Sequence, residues 1–389
     1  MANEVNLIVS DHNMVSPKYL NKIEDIEGLS GDQQGQLSQV TEKYRFRSND
    51  YYLSLIDWSD PCDPIRRIIV PDLCELKEWG NLDPSDEQGI TVLPGVEHKY
   101  SSTVVLLVVN VCGGICRYCF RKRVFVKDHS KVLTDLPAAV EYINQHKEIT
   151  NVLMTGGDPL ILATSKLEKI VDAVGPIAHV KIIRWGTKMP AFNPHRIIND
   201  PRLLKLVGKC LDYGKQLYVM THFIHINEIT DVAIASVKAL HNAGAVLCNQ
   251  TPIIRGVNDN PQAMIDLFSK LSFAGVPPYY VFQCRPSSGN SGYAVPVEEG
   301  YRIFEQAKTK ILGLAERARF TMSHESGKVE IVGMTAEHIY MKYHRAKDDK
   351  KSGSFLIFKR NPDAYWLDDY GRPIESCSLD SLSESFSLK

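Results

Sequence analysis

The stretch TVVLLVVNVCGGICRYCFRKR (103–123) decides how the chain is read. Positions 103–111 are almost entirely β-branched residues and leucine, and they run straight into a loop holding Cys112, Cys116 and Cys119. A short, near-continuous apolar strand of this kind is buried on both faces, as in parallel sheets covered by crossover helices. Five further runs have the same texture: NVLMTGG (151–157), VKIIRWGT (180–187), QLYVMTH (216–222), AVLCNQTP (245–252) and PYYVFQC (278–284). Helix-length amphipathic segments separate them at 136–147, 164–174, 202–214, 230–244 and 260–275. Six strand–helix units predict an α/β fold, a partial (β/α)6 parallel barrel, with a doubly wound open sheet as the alternative.

Outward from that core, residues 1–95 read as an N-terminal helical accessory region, with short helices around 17–27 and 33–57 and Pro-punctuated turns. The barrel is expected over 96–318. An irregular C-terminal segment over 319–372 closes its open side, and RFTMSHESGKVEIVG there reads as a strand and loop. A Ser-rich disordered tail is expected over 373–389.

Composition narrows the function classes. Among 389 residues, 45 Lys and Arg balance 46 Asp and Glu, for a net charge of −1. That balance argues against a nucleic-acid coat and a polybasic membrane anchor. No run of 18 apolar residues and no basic-then-apolar leader is present, so neither a membrane span nor a signal peptide is expected. Nine cysteines, an odd number, make a poor disulfide framework, and a reducing cytoplasmic setting with free thiols is expected.

The unusual residues fall where such folds keep their ligands, at the C-terminal ends of strands. The first strand ends in the cysteine loop, the second in Gly156-Gly157-Asp158 and the fourth in Thr221-His222. The fifth ends in Asn249-Gln250 and the sixth in Cys284-Arg285. Three cysteines without a fourth at ferredoxin spacing suit an iron–sulfur cubane with one open iron. A zinc site completed by a distant His or Cys, or incidental buried thiols, are the alternatives.

This cysteine loop resembles that of the radical S-adenosylmethionine (SAM) enzymes. Over roughly 45–330 the chain resembles lysine 2,3-aminomutase and its relatives. The matching stretches include YYLSLIDWSDPCDP (51–64), LPGVEHKY (93–100), CRYCFRKR (116–123), GGDPL (156–160), THFIHINEIT (221–230), NQTPIIRGVND (249–259) and PPYYVFQC (277–284). The resemblance implies a 4Fe–4S cluster on Cys112, Cys116 and Cys119, with SAM on the open iron. Gly156, Gly157 and Asp158 would contact the SAM amino group, and His222 and Gln250 would line the pocket. Arg121 matches the arginine that grips the substrate carboxylate, while Arg117, Lys122 and Arg123 would offset the anionic cluster or face solvent. Lys328 falls on the family's pyridoxal 5′-phosphate (PLP) lysine, to be held as an aldimine, and the amino group would migrate from C2 to C3. The implied partners are an amino-acid substrate and a flavodoxin- or ferredoxin-type electron donor, with no nucleic acid and no membrane.

Four departures stand out. Of the family's glycine-rich stretch before the PLP lysine only Gly327 remains. The pattern HRY followed by an arginine becomes His98-Lys99-Tyr100 and then Thr103, leaving Lys99 and Tyr100 for the cofactor phosphate. At the two aspartates that receive the lysine ammonium stand Arg285 and Ser323 (or His324), so the substrate is expected not to be lysine unless Arg285 turns away toward the C-terminal segment. The C-terminal zinc cysteines are missing, since only Cys377 follows Cys284, which leaves a homo-oligomer open but differently built. Two rival classes remain: a radical SAM enzyme working without PLP, and a protein using an iron–sulfur or zinc site for structure or RNA binding.

Overall fold

Helices start here where side chains can take up the free N–H groups of a first turn. Asp135, Asp200, Thr230 and Asn260 each accept from a first-turn N–H, opening the helices Leu136–Gln145, Pro201–Asp212, Asp231–Asn242 and Pro261–Phe273. Proline in the first turn reinforces three of these starts. Two more helices, Thr164–Val174 and Val297–Lys308, complete the crossovers. The computed structural model describes residues 16–125 and 132–378.

Two short strands, β1 (Tyr19–Leu20) and β2 (Ser48–Asn49), pair with each other. The others form one sheet of 13 strands: β3 (Thr91–Leu93), β4 (Val96–Tyr100), β5 (Thr103–Val109), β6 (Asn151–Gly156), β7 (Ile182–Thr187), β8 (Gln216–Thr221), β9 (Val246–Pro252), β10 (Pro278–Phe282), β11 (Arg319–His324), β12 (Gly327–Met334), β13 (His338–Ala346), β14 (Phe355–Lys359) and β15 (Glu375–Cys377). Chain order is also spatial order. Strands β5 to β11 run parallel, with antiparallel pairs on both flanks. The molecule is therefore mixed α/β with a large parallel-rich sheet, and its strand order never reverses as a doubly wound sheet's does.

Four expectations are corrected. A seventh parallel strand, β11, follows the six expected. The segment 319–372 is not irregular: β11 to β14 form an antiparallel meander, because HESGK is a tight hairpin and not a loop. Of the expected tail, Glu375–Cys377 pairs with β14, and 379–389 lie outside the described residues. The N-terminal region is less helical than expected. Positions 17–27 hold β1 and a single 3-10 turn, and the helix over 33–57 is cut short. A capping box between Ser30 and Gln33 starts it at Gly31, and it ends at Lys43. Beyond it Phe46 is buried and Asn49 caps a separate turn, Asp50–Leu53.

Along β7 burial alternates: Ile183 and Trp185 are fully buried in the main core, while Ile182, Arg184 and Gly186 are part-buried. The helices cover the first face. The second lies inside a curl, since the far ends of the sheet touch. Lys99 Nζ on β4 donates to the His324 carbonyl at 2.6 Å, and Arg345 Nη2 on β13 donates to Ser102 Oγ at 2.6 Å. Face assignment predicts that Trp185→Ala lowers the unfolding free energy by about 3–5 kcal/mol in denaturant titration. An unchanged midpoint would place Trp185 on the wrong face.

Candidate active site

Lateral partners in a sheet share a face. The register therefore carries one face across the curl: Arg184 beside Tyr218, Gln250 beside Tyr280, Ser323 beside Lys328, and Lys328 beside Arg345. Chemistry-bearing residues collect there and at the strand ends.

The cysteine loop leaves β5 and is pinned by its backbone. Ile115 N–H donates to the Arg47 carbonyl at 2.9 Å, Arg117 N–H donates to the Ile68 carbonyl at 2.9 Å, and Arg47 Nε donates to the Cys112 carbonyl at 2.9 Å. Cys112 and Cys119 pack against Ile115, Val124 and Phe125. Burial pushes the Cys116 thiol up to about 12 and raises Cys112 and Cys119 as well, and the nearby Cys119 adds to the shift of the other two. Such thiols deprotonate only for a strongly positive centre. Among the described residues no disulfide joins any of the nine cysteines. Among the described residues no three His, Cys, Asp or Glu side chains converge as ligands of one ion would, a convergence that a cluster with three separately ligated irons does not ask for. The donor set fits a cluster.

Arg117, Lys122 and Arg123 do not face solvent, as one expectation had it. Arg117 holds Glu75 through Nε and Nη2, both at 2.8 Å, and Lys122 Nζ reaches the same carboxylate at 3.3 Å. Arg123 binds Glu87 at 2.5 Å and Glu97 at 3.2 Å. All three cations are buried.

Gly156 and Gly157 lie against the end of β5. A Cβ on Gly156, whose φ is +115°, would sit 2.3 Å from the Val109 carbonyl oxygen, and one on Gly157 would sit 2.2 Å from that of Val111. Asp158 is buried, and its carboxylate is already engaged. It accepts from Leu160 N–H at 3.0 Å, Thr187 Oγ1 at 2.7 Å and Lys188 N–H at 2.7 Å. Burial pushes it up to about 6 despite those bonds. The carboxylate therefore ties β6 to β7.

His222 is held by Tyr118 Oη at 3.0 Å and by the Gln250 backbone, which brings these residues together beside the cysteine loop. Burial, then the Lys188 charge, lowers it to about 3, so it stays neutral. Lys188 donates to the His222 carbonyl at 2.8 Å and pairs with buried Glu228, which also accepts from Tyr52 Oη at 2.6 Å.

Arg121 Nε donates to Glu87 at 2.8 Å and its Nη1 to Thr155 Oγ1 at 3.2 Å, with Glu97 at 3.7 Å. Glu87 is held well below the carboxylate range by Arg121 and Arg123, which overcome its burial. Glu97 is pushed up by burial and by the Glu87 charge. Arg285 does not turn to the C-terminal segment. Its Nη1 donates to Ser85 Oγ at 2.7 Å, and the guanidinium lies 3.8 Å from the Phe120 ring centroid. No described carboxylate pairs with it, and burial lowers its pKa to about 10.

Lys328 Nζ lies 3.9 Å from the Tyr280 ring centroid, and Ser323 is its cross-strand neighbour. Burial, reinforced by the charges of Arg184, Arg285, Arg345 and Lys99, lowers it to about 7. A buried amine that is neutral near pH 7 is what carbonyl condensation needs. Gly327 survives from the glycine-rich stretch because a Cβ there would lie 2.4 Å from the Arg345 carbonyl oxygen. Lysine, flanking cations and stacked tyrosine fit a phosphorylated aldehyde cofactor.

A protein of Aquifex aeolicus named "Putative L-lysine 2,3-aminomutase" is 51% identical over 354 residues, covering 91% of this chain and 95% of its own length. The L-lysine 2,3-aminomutase of Clostridium subterminale is 35% identical over 294 residues, 73% of this chain and 69% of that protein. This chain belongs to the lysine 2,3-aminomutase family. It is thus an isomerase of the radical SAM class. Another relative, the glutamate 2,3-aminomutase of Clostridioides difficile, is 32% identical over 303 residues, 76% of this chain and 70% of that protein. No protein-family model matches the chain. A 3-dehydroquinate dehydratase structure from Geobacillus kaustophilus aligns at TM-score 0.28 and 13% identity, over 45% of this chain and 76% of that one, too weak a likeness to bear on the fold. No helix among the described residues is long and apolar enough to cross a membrane.

Within this aminomutase-family site, sequence reasoning missed Glu75, Glu87, Lys188, Glu228, Arg184 and Arg345. Lys188 follows the third strand's end and shares the rim pattern that singled out the others. Glu87 lay in a Pro- and Asp-rich turn with no marker, and Arg345 in a segment read as irregular.

The Glu87–Glu97 pair generates a contrast. Glu97 is raised on folding, so the stability it contributes is full at low pH and is lost as pH rises from about 4.5 through about 7. Glu97→Gln therefore flattens that fall and costs little at pH 8. Glu87→Gln leaves Arg121 and Arg123 short of a buried partner and costs about 3–5 kcal/mol. Equal losses in urea titrations at pH 8 would overturn this division of charge.

Proposed function

We propose that the chain is a radical SAM amino-acid 2,3-aminomutase whose substrate is not lysine and carries an acidic or neutral polar side chain. The observation that carries this reading is Arg285, a cation without a carboxylate partner, at the position where the resemblance puts an aspartate for the lysine ammonium. A closed site with this guanidinium repels an ammonium. The relative named for glutamate supports an acidic side chain.

When bound, the cluster, SAM and PLP supply the 5′-deoxyadenosyl radical and the π-system over which an amino group migrates. The chain's own residues bind and orient. Cys112, Cys116 and Cys119 hold the cluster, the Gly156–Gly157 backbone and His222 with Gln250 shape the SAM side, and Lys328 presents a neutral amine. Arg121 and Arg285 offer guanidinium groups to carboxylates, Arg121 by exchanging its Glu87 or Thr155 contact for the substrate. Water is excluded by the curl of the sheet, which we read as a partial (β/α)6-type barrel spanning 96–318, completed by the C-terminal strands that bring in Lys328. A reducing one-electron donor of flavodoxin or ferredoxin type and a cytoplasmic setting complete this reading.

The test is an anaerobic panel of amino acids with dithionite and SAM, following 5′-deoxyadenosine and product mass together. Glutamate or a neutral polar amino acid is expected to turn over, and Arg285→Asp to shift preference toward cationic substrates. Lysine as the favoured substrate of the wild type, or an unmoved preference in Arg285→Asp, overturns the substrate assignment. Borohydride trapping of PLP on Lys328 is expected to rise with pH through about 7, following the amine's loss of its proton, and to vanish in Lys328→Ala. Trapping that rises only near pH 10 would show an ordinary solvated lysine.

A further inference from the structure

Four of the five buried lysines and arginines among the described residues are matched by carboxylates, the exception being Lys215, which donates to the Ile177 and Val180 carbonyls. Arg117 and Lys122 share Glu75, Arg123 binds Glu87 and Glu97, and Lys188 binds Glu228. The group around Lys328 is different. Arg345 Nη2 donates to Ser102 Oγ at 2.6 Å and its Nη1 to Thr103 Oγ1 at 3.3 Å, with the guanidinium 4.4 Å from the Tyr100 ring centroid. Arg184 Nε donates to Asn151 Oδ1 at 3.0 Å. Lys99 Nζ donates to the His324 carbonyl at 2.6 Å. Every one of these partners is neutral, and none of the three cations pairs with a described carboxylate. Concentrating unmatched positive charge in a part-buried space is unfavourable unless an anion completes it.

The location of Arg345 is the second observation. Ser102 and Thr103 stand at the start of β5. Arg345 delivers a guanidinium to that same place from β13, with seven strands between β13 and β5 in hydrogen-bonding order. Register puts it directly opposite Lys328, on the same face. Gly327 allows the two strands this approach, since its position leaves no room for a Cβ beside the Arg345 carbonyl.

We propose that Arg345, with Arg184 and Lys99, anchors the phosphate of the cofactor bound by Lys328, and that this phosphate fastens β13 to the β4–β5 edge. Resting on the PLP reading above, the proposal assigns the phosphate contacts to residues of the C-terminal meander and β7 as well as to β4. A dianion there accepts charge-assisted hydrogen bonds from a planar fork and an ammonium. The same anion neutralises the repulsion between the two ends of the sheet. Arg345 and Arg184 are thus binding residues that the sequence pattern around 98–103 does not contain.

The experiment uses the full chain stripped of PLP, with binding followed by equilibrium dialysis and native folding checked by circular dichroism. The ligands are PLP, pyridoxal and inorganic phosphate. Wild type is expected to bind PLP about ten- to a hundredfold more tightly than pyridoxal, and Arg345→Gln to lose that preference while its pyridoxal affinity stays the same. Arg345→Lys restores part of it, and Arg184→Gln repeats the loss should Arg345→Gln fold poorly. Inorganic phosphate is expected to slow hydrogen exchange in β13 of wild type and not of Arg345→Gln. Folded Arg345→Gln and Arg184→Gln that both keep wild-type preference for PLP over pyridoxal overturn the proposal. A wild type that binds neither PLP nor pyridoxal overturns the cofactor reading itself, and the proposal with it.

Discussion

The carboxylate of Glu75 is fully buried and is shared by two cations that bracket Cys119, Arg117 and Lys122. A buried charge without partners costs several kcal/mol, and breaking one leaves the others stranded. This arrangement makes the loop conformation over 112–123 hard to change by degrees. It keeps two positive charges beside thiols that must carry negative charge when they ligate, and it anchors the loop to the N-terminal segment. The same logic recurs one step further on, where Glu87 and Glu97 hold Arg121 and Arg123. The accessory residues before β3 are thus part of the site, because they supply its counter-charges.

Much of this was legible in sequence, and for identifiable reasons. The apolar runs at 103–111 and 180–187 mark β5 and β7 because strands covered by helices admit little else. Cys112, Cys116 and Cys119 stood out because three cysteines in eight residues on a loop leaving a strand are unusual for packing alone. The rim residues Gly156, His222 and Gln250 followed from strand ends alone. Glu75 and Glu87 were not legible, since a buried carboxylate is announced only by the cation it meets, and that cation lies more than 30 residues away. The sequence also did not show that the Asp158 carboxylate accepts from Thr187 and Lys188, a tie between β6 and β7. The C-terminal strands escaped because Gly327 and Arg345 reveal their purpose only once β12 and β13 are paired.

The seam between β13 and the β4–β5 edge has a bearing on the order of folding. Each parallel pair joins strands that are near neighbours in the chain, so the sheet can grow from its first strands outward with small loop-closure costs. The contact of Arg345 with Ser102 joins residues 243 positions apart. A growing chain therefore lays down the strands that carry the cysteine loop and the glycine rim long before it can build the pocket around Lys328. The strand beneath the cysteine loop is thus an early product of synthesis and the setting of Lys328 a late one, so the last strands to fold decide when the two edges of the sheet are joined.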